Sequence, residues 1–149
     1  MRMKPAITLD DAKRLLAAAE AEASRNNWGV VIAILNDGGR LVALHRMDGA
    51  RPGNDDIAIG KARTAVMSCR PSAVWEQWIN ASHGARSTMG LMAAQGGLPI
   101  LIDDDIIGGV GVSGVRSEQD EHIALTAIKA AFPQARVTRK GEENDAATF

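Results

Sequence analysis

Residues 95–122 read QGGLPILIDDDIIGGVGVSGVRSEQDEH, and this stretch decides the fold. The apolar segment from Leu98 to Ile102 predicts a short β-strand, and the run from Asp103 to Asp105 predicts a polar turn. Residues Ile106 to Val112 then predict a returning strand. The stretch therefore predicts a β-hairpin of two antiparallel strands.

The end of the same stretch predicts a helix preceded by candidate functional residues. The chain turns at Ser113 and Gly114, and Ser117 with Asp120 three positions later is similar to a capping box. We interpret Ser113 as a candidate ligand-binding hydroxyl. Asp120 and Glu121 are either candidate catalytic acids or acids that cap the helix and interact with its dipole.

The returning strand is expected to have one nearly bare face. Because side chains alternate along a strand, one face is expected to carry Ile107, Gly109, Gly111 and Ser113. The other face is expected to carry Ile106, Gly108, Val110 and Val112. Glycines on one face indicate the close approach of another backbone or of a ligand. Two interpretations stay open: a helix packs on the glycines, or a ligand approaches Gly111 and the turn at Gly96 and Gly97.

The rest of the chain predicts helices packed on an antiparallel sheet. Thr8 is the expected N-cap of an amphipathic helix, and a strand over residues 28–35 is apolar on both faces. The sequence NDGG at 36–39 predicts a turn into a second strand over 40–47. Further helices are predicted from Asn54 or Asp55 to about Cys69, after Pro71, over 87–94, and up to Pro133. This order indicates an α+β fold.

Length and composition limit the class of protein. A chain of 149 residues predicts a single domain, with a core over about 7–132 and a tail over 133–149. The net charge of −1 gives no basic surface of the kind that nucleic-acid binding needs. No apolar run predicts a membrane span, and the first residues lack a secretory pattern, so we expect a cytoplasmic protein. The single cysteine, Cys69, excludes an internal disulfide.

Four residues in the first half of the chain are candidate ligand-binding groups. Arg46 and Arg51 are suited to hold a carboxylate, and Asp48 lies between them, although Arg46 and Asp48 are also able to pair with each other. Lys61 borders the apolar stripe of its predicted helix. It either extends into solvent or points into a pocket, where it binds an anion or acts as a base.

Several common active-site motifs are absent from the sequence, which contains no P-loop, no G-x-S-x-G elbow and no H-E-x-x-H. The glycines from Gly109 to Gly114 superficially resemble a dinucleotide fingerprint, but they lie in a hairpin strand outside any βαβ unit. Asp120, Glu121 and His122 are adjacent on a helix, so their side chains point about 100° apart and do not converge on one ion. We therefore predict no metal site.

Four segments together carry a family resemblance: GKARTA at 60–65, QGGLPI at 95–100, IIGGVGVSG at 106–114 and QDEHIA at 119–124. They resemble the GlcG/HbpS haem-binding-like family, whose domain also occurs at the C-terminus of PduO proteins. The resemblance covers about residues 7–132. It implies a profilin-like form of the α+β fold, a compact homo-oligomer, and a small-molecule or cofactor ligand. It also favours the interpretation in which Lys61 points into a pocket.

Two classes of function follow from these residues. The first is a binding module for a small molecule or cofactor, with haem as the candidate that the family name implies. Haem usually needs an axial His, Met, Cys or Tyr. The chain has no Tyr, and its histidines are His45, His83 and His122, of which His83 lies in a polar link and is the candidate axial ligand.

The second class is a small cofactor-independent enzyme of catabolism, an isomerase, hydratase or lyase that acts on a carboxylate-bearing metabolite. In this hypothesis Lys61, Asp120 and Glu121 are the catalytic residues, and the arginines hold the substrate. The family's association with small-acid and diol metabolism supports it. A non-catalytic oligomeric accessory protein is a third alternative.

Overall fold

The computed structural model of the protein describes residues 1–82 and 91–142. In chain order the elements of the described residues are α1 (Leu9–Arg25), β1 (Val31–Asn36), β2 (Leu41–Arg46), α2 (Asn54–Ser68), α3 (Ser72–Ala81), β3 (Gly97–Ile102), β4 (Asp105–Ser113) and α4 (Ser117–Ala131). The strands form one antiparallel sheet in the order β2-β1-β4-β3. The predicted α+β class is confirmed. No described helix has the length and apolar character that crossing a membrane requires.

Helices cover both faces of the sheet. On one face α1 and α4 bury Ile32 and Ile34 of β1, and on the other α2 buries Val31, Ala33 and Leu35. All five side chains are fully buried. The pattern of β1, apolar on both faces, is explained by this three-layer arrangement. The predicted N-cap of α1 is also confirmed, because Thr8 Oγ1 accepts the backbone N–H of Asp11 at 3.1 Å.

The start of β4 differs from the predicted alternation of faces. Strand β3 pairs first with Gly108 and next with Ile106, so Ile107 is an extra residue on β4. Ile107 consequently packs in the core beneath α1 and α4, whereas Ile106 packs on the α2 side. The predicted faces of these two isoleucines are wrong because a simple alternation makes no allowance for an extra residue.

The backbone of α2 covers the bare face of β4. A Cβ atom on Gly111 would lie 2.0 Å from the carbonyl oxygen of Ala58, and one on Gly97 would lie 2.1 Å from that of Lys61. Both distances are far below van der Waals contact. Close packing of a helix is therefore the interpretation that applies at these glycines, and α2 occupies the space that a ligand would need there.

The structure differs from the prediction in two further places. Residues Leu91–Ala94 are not helical, because their carbonyls bond to neighbouring elements: Thr64 Oγ1 donates to Met92 O, and Ser72 Oγ donates to Ala94 O. The rest of the predicted 87–94 helix lies outside the described residues. Ser117 is the first residue of α4 and not its N-cap, so the predicted capping box with Asp120 is wrong.

Candidate functional site

A cleft of about 550 Å³ lies between the starts of α2 and α4. One wall comes from α2 and the loop before it, through Arg51, Asn54, Ile57 and Lys61. The opposite wall comes from the end of β4 and the start of α4, through Ser113, Val115, Arg116, Ser117 and Asp120. The cleft thus joins residues about 60 positions apart in the chain, among them several that the sequence singled out.

The floor of the cleft is a buried ion pair between its two walls. Lys61 Nζ lies 2.8 Å from Asp120 Oδ2 and donates a second hydrogen bond to the carbonyl oxygen of Val112 at 3.1 Å. The two charged side chains are only 4% and 2% exposed. Asp120 Oδ1 accepts the backbone N–H of Val115 at 3.1 Å. An ammonium group has three donors, so Lys61 keeps one N–H for a further acceptor.

Close packing of α2 on the sheet brings this pair together. Because Gly97 and Gly111 have no side chains, α2 lies directly against the strands, and Lys61 reaches past the end of β4 to α4. Gly96 completes the arrangement, since a Cβ atom there would lie 2.9 Å from Lys61 Nζ and 3.0 Å from Asp120 Cβ. Its φ of +129° also favours glycine.

The two acids of α4 have different surroundings. Burial raises the pKa of the Asp120 carboxyl above its ordinary value, and the Lys61 ammonium group partly opposes that shift. Burial and the nearby Glu76 carboxylate also raise the pKa of Glu121, while a hydrogen bond with the Gln95 side chain lowers it. Glu121 Oε2 has no hydrogen-bond partner among the described residues. Asp120 lines the cleft and Glu121 does not.

The rim of the cleft is positively charged. Arg51 and Arg116 both line it and are exposed, and neither pairs with a carboxylate within the described part of the chain. Together with Lys61 they give three positive groups around one carboxylate, that of Asp120, so the lining carries a net charge of +2. A cleft of this charge attracts an anion.

Both walls also present the start of a helix. Neither α2 nor α4 has an N-cap side chain that bonds to its first turn. In α2 the N–H groups of Asn54 and Asp56 bond instead to Arg51 O and Asp55 Oδ1. The positive end of each helix dipole lies at the cleft. Asn54, the first residue of α2, is 7% exposed and lines the cleft. Its amide nitrogen Nδ2 is buried and has no hydrogen-bond partner among the described residues. A buried donor without a partner is costly, and a ligand oxygen would satisfy it.

Other predicted ligand-binding residues support the cleft or lie away from it. Arg46 donates to the carbonyl oxygens of Arg51 and Pro52, at 2.9 and 3.1 Å, and pairs with Asp55. It therefore holds the loop before α2 and does not line the cleft. Asp48 is exposed, does not line the cleft, and is not the partner of Arg46.

The histidines of the described residues lie elsewhere. His45 pairs with Glu20, and His122 Nε2 lies 2.8 Å from Glu22 Oε1, so both contact α1 on the opposite side of the sheet from α2. Their side chains are 54% and 55% exposed. His83 lies outside the described residues. Within residues 1–82 and 91–142, no group of three His, Cys, Asp or Glu side chains is placed to hold a metal ion.

Asn54, Arg116 and Ser117 line the cleft but were not predicted from the sequence as ligand-binding groups. Asn54 and Ser117 were considered only as helix caps, and Arg116 was not considered. The sequence does contain a pattern that indicates these residues. An arginine and a glycine lie just before each of the two helices, in RPGN at 51–54 and in GVRS at 114–117. Only the fold shows that these two helix starts face each other.

Comparisons with known proteins agree on one family. The sequence model of the family described as haem degrading protein HbpS-like matches residues 7–129. Protein GlcG of Escherichia coli strain K12 is 40% identical over 114 residues, which cover 76% of this chain and 85% of GlcG.

Solved structures agree with that assignment. The crystal structure of a PduOC–haem complex has a TM-score of 0.79 and 28% identity, covering 91% of this chain and 100% of the other. The crystal structure of HbpS has a TM-score of 0.80 and 25% identity, covering 86% of this chain and 92% of the other.

Proposed function

The chain belongs to the HbpS-like family, and from that premise we propose that it binds a small anionic molecule in the cleft between α2 and α4. The relatives support a ligand-binding role, because one structural neighbour is described as a complex with haem. The geometry supports the position and charge of the ligand. A carboxylate is the anionic group that such a cleft is suited to take.

The observation that carries this proposal is the unpaired amide of Asn54. A buried donor usually has a partner in a folded protein. Asn54 Nδ2 has none among the described residues, and it belongs to a residue that lines a positively charged cleft at a helix start. A carboxylate oxygen would accept from this amide while Arg51 neutralises its charge. Lys61 has one further N–H for the same ligand.

Haem itself does not fit this cleft through its iron. Axial ligation needs His, Met, Cys or Tyr, and none of these lines the cleft in the described part of the chain. His45 and His122 are on the other side of the sheet, each against a glutamate. We therefore propose a ligand that is held by its acid groups, and His83 remains a prediction that hemin binding tests.

Binding is favoured over the alternative of a cofactor-independent enzyme. A catalytic acid or base must reach the substrate, and Glu121 does not line the cleft. Asp120 and Lys61 are engaged with each other and with backbone groups. They therefore serve best as a fixed, polar floor beneath the ligand, and their catalytic roles remain predictions.

A thermal-shift screen of native protein tests the proposal. The panel contains acetate, butyrate, succinate, inorganic phosphate and hemin. A ligand at 100 times its Kd should raise Tm by about 8 °C, because it binds only the folded state. Asn54→Ala should remove most of that shift, whereas Asn80→Ala, at an exposed position on α3, should keep it.

Two outcomes would contradict the proposal. One is the absence of any shift with every member of the panel, hemin included. The other is an acid that stabilises native protein and Asn54→Ala equally, because the cleft would then not be its site. A saturable Soret change with hemin that is lost on His83→Ala, without any acid binding, would assign the function to haem at a different site.

A further inference from the structure

We propose that the ligand of this cleft carries two carboxylates, one bound at each of the two helix starts; this inference rests on the proposed function and specifies its ligand class. The cleft has two positive poles on opposite walls, separated by a neutral ion pair. A single anionic group is able to occupy only one of them.

The first pole is at the start of α2. Arg51 supplies a guanidinium group without a carboxylate partner among the described residues, and Asn54 supplies a buried donor. The loop that carries Arg51 is fixed by Arg46, which donates to two of its carbonyl oxygens. Because Asp55 in the first turn pairs with Arg46 and does not line the cleft, it does not cancel the charge of this pole.

The second pole is at the start of α4. Arg116 is the N-cap residue, and its backbone N–H donates to Gln119 Oε1 at 3.2 Å. Arg116 is exposed and lines the cleft. Ser117 lines the cleft beside it and supplies a hydroxyl group. Glu118 in the same turn is exposed and does not line the cleft, so it does not occupy this pole.

The floor between the poles is neutral and partly apolar. Lys61 and Asp120 compensate each other's charge, and Ile57 lines the cleft one helical turn before Lys61. The seven-residue step from Asn54 to Lys61 corresponds to about 10 Å along α2, which is the length of this wall from the rim to the floor. Inorganic phosphate concentrates its charge on one group and would meet only one pole.

Charge complementarity supports the same ligand class. The residues that line the cleft carry a net charge of +2. A dicarboxylate would neutralise this charge completely, whereas a monocarboxylate would leave a charge of +1. Two sources offer this chemistry: a free short dicarboxylic acid, and a porphyrin through its two propionates. Both use the same two poles, and the experiment distinguishes them by the ligand that binds.

Titration calorimetry with matched ligands tests the inference. Succinate and glutarate are compared with butyrate and valerate, which have the same chain lengths and one carboxylate fewer. Protoporphyrin IX and inorganic phosphate complete the set. The proteins are native chain, Arg51→Ala, Arg116→Ala and the control Arg40→Ala, which removes an exposed charge outside the cleft.

Two poles predict a specific pattern of affinities. A dicarboxylate should bind native protein and Arg40→Ala at least tenfold more tightly than its matched monocarboxylate, and each cleft variant should lose about tenfold. The monocarboxylate should lose affinity in only one cleft variant, because it occupies only one pole. Binding of the porphyrin alone, with losses in both variants, would support two carboxylates and identify the porphyrin as their source.

Equal affinity of matched mono- and dicarboxylates, or phosphate binding as tightly as succinate, would overturn the inference and leave the proposed function intact. The absence of any binding would overturn both.

Discussion

The ion pair of Lys61 and Asp120 is the residue-level feature on which the cleft depends. Its Nζ–Oδ2 distance is 2.8 Å, and both side chains are almost completely buried. A buried pair gives little net stability relative to apolar residues, but removal of one partner leaves the other charge buried and uncompensated. The pair therefore links α2 to α4, and the free energy of unfolding should be sensitive to substitution of either residue alone.

Substitution of Lys61 by methionine should destabilise the protein strongly. Asp120 would remain buried without its cation, and we expect the free energy of unfolding to fall by about 3 kcal/mol. Urea denaturation measures this change. The matched control is Lys61→Met with Asp120→Asn, which removes both charges and keeps an acceptor for the Val115 N–H.

The double variant should recover more than half of the loss. If single and double variants are equally unstable, the uncompensated charge of Asp120 is not the cause.

Burial of the Glu121 side chain should make the stability of the protein depend on pH in an unusual way. Its pKa is raised above the ordinary value of 4.5 by burial and by Glu76, so the folded state holds the proton more tightly than the unfolded state. Its contribution to stability consequently falls as pH rises from 4.5 through the folded pKa, and stays low above it. Glu121→Gln, which has no charge to bury, should be more stable than native protein at neutral pH.

The advantage of Glu121→Gln should disappear as pH falls below 4.5, where the native side chain is protonated in both states. Guanidinium denaturation at several pH values measures it. Glu118→Gln, at an exposed position in the same helix, is the control and should differ little from native protein at every pH. An advantage that is constant with pH would contradict the assigned cause.

Single residues were predicted from the sequence to different degrees. Lys61, Arg51 and Ser113 were identified because their chemistry and position in a pattern are local features, and the structure places all three in the cleft. Asp120 was identified as a candidate catalytic acid or as a capping acid, without its partner. Its side chain instead turns to Lys61, 59 residues away in the chain, and the spacing of residues around a helix start contains no information on such a partner.

At the level of elements, the contact of α2 with β4 and β3 positions the cleft. It depends on glycines, because the backbone of α2 lies where side chains of Gly97 and Gly111 would be. The sequence indicated this close approach correctly through the bare strand face. The extra residue at Ile107 was not predictable in the same way, because it is defined only by the pairing with β3.

Introduction of a methyl group at Gly111 should disrupt this contact. Its Cβ would lie 2.0 Å from Ala58 O and 2.7 Å from Ala62 N, so α2 has to move away from the sheet. We expect Gly111→Ala to lower the free energy of unfolding by about 3 kcal/mol, measured by urea denaturation. Gly38→Ala is the control, because a Cβ there meets only Asn36 Oδ1 at 3.4 Å. Comparable stability of the two variants would contradict the packing described for α2.

At the level of the whole molecule, the three-layer arrangement is what creates a binding site. The α+β class was predictable because hydrophobic periodicity and turn residues are local and consistent along the chain. A site that contains Lys61, Asp120 and an arginine was predicted, but its position was not, because the cleft forms where two helix starts from distant parts of the chain meet. The expected homo-oligomer remains a prediction, which light scattering of the purified protein checks.

The exposed position of the two arginines predicts a salt-dependent affinity. Raising the salt concentration from 0.1 M to 1 M shortens the screening length from about 10 Å to about 3 Å. Arg51 and Arg116 are exposed at the rim, so the Kd of succinate should rise about tenfold over this range. The double variant Arg51→Ala/Arg116→Ala should show a much flatter dependence. Equal salt dependence in both proteins would mean that residues other than Arg51 and Arg116 attract succinate.

The central claim is that an anionic small molecule binds between the starts of α2 and α4, and an NMR titration tests it most directly. Succinate is added to ¹⁵N-labelled native protein, and backbone amide shifts are followed by a TROSY experiment. We predict saturable shifts concentrated at residues 51–61 and 113–120, with little change at 36–40 in the turn between β1 and β2. Saturable shifts concentrated around His45 and His122, or no saturable shifts at all, would contradict the claim.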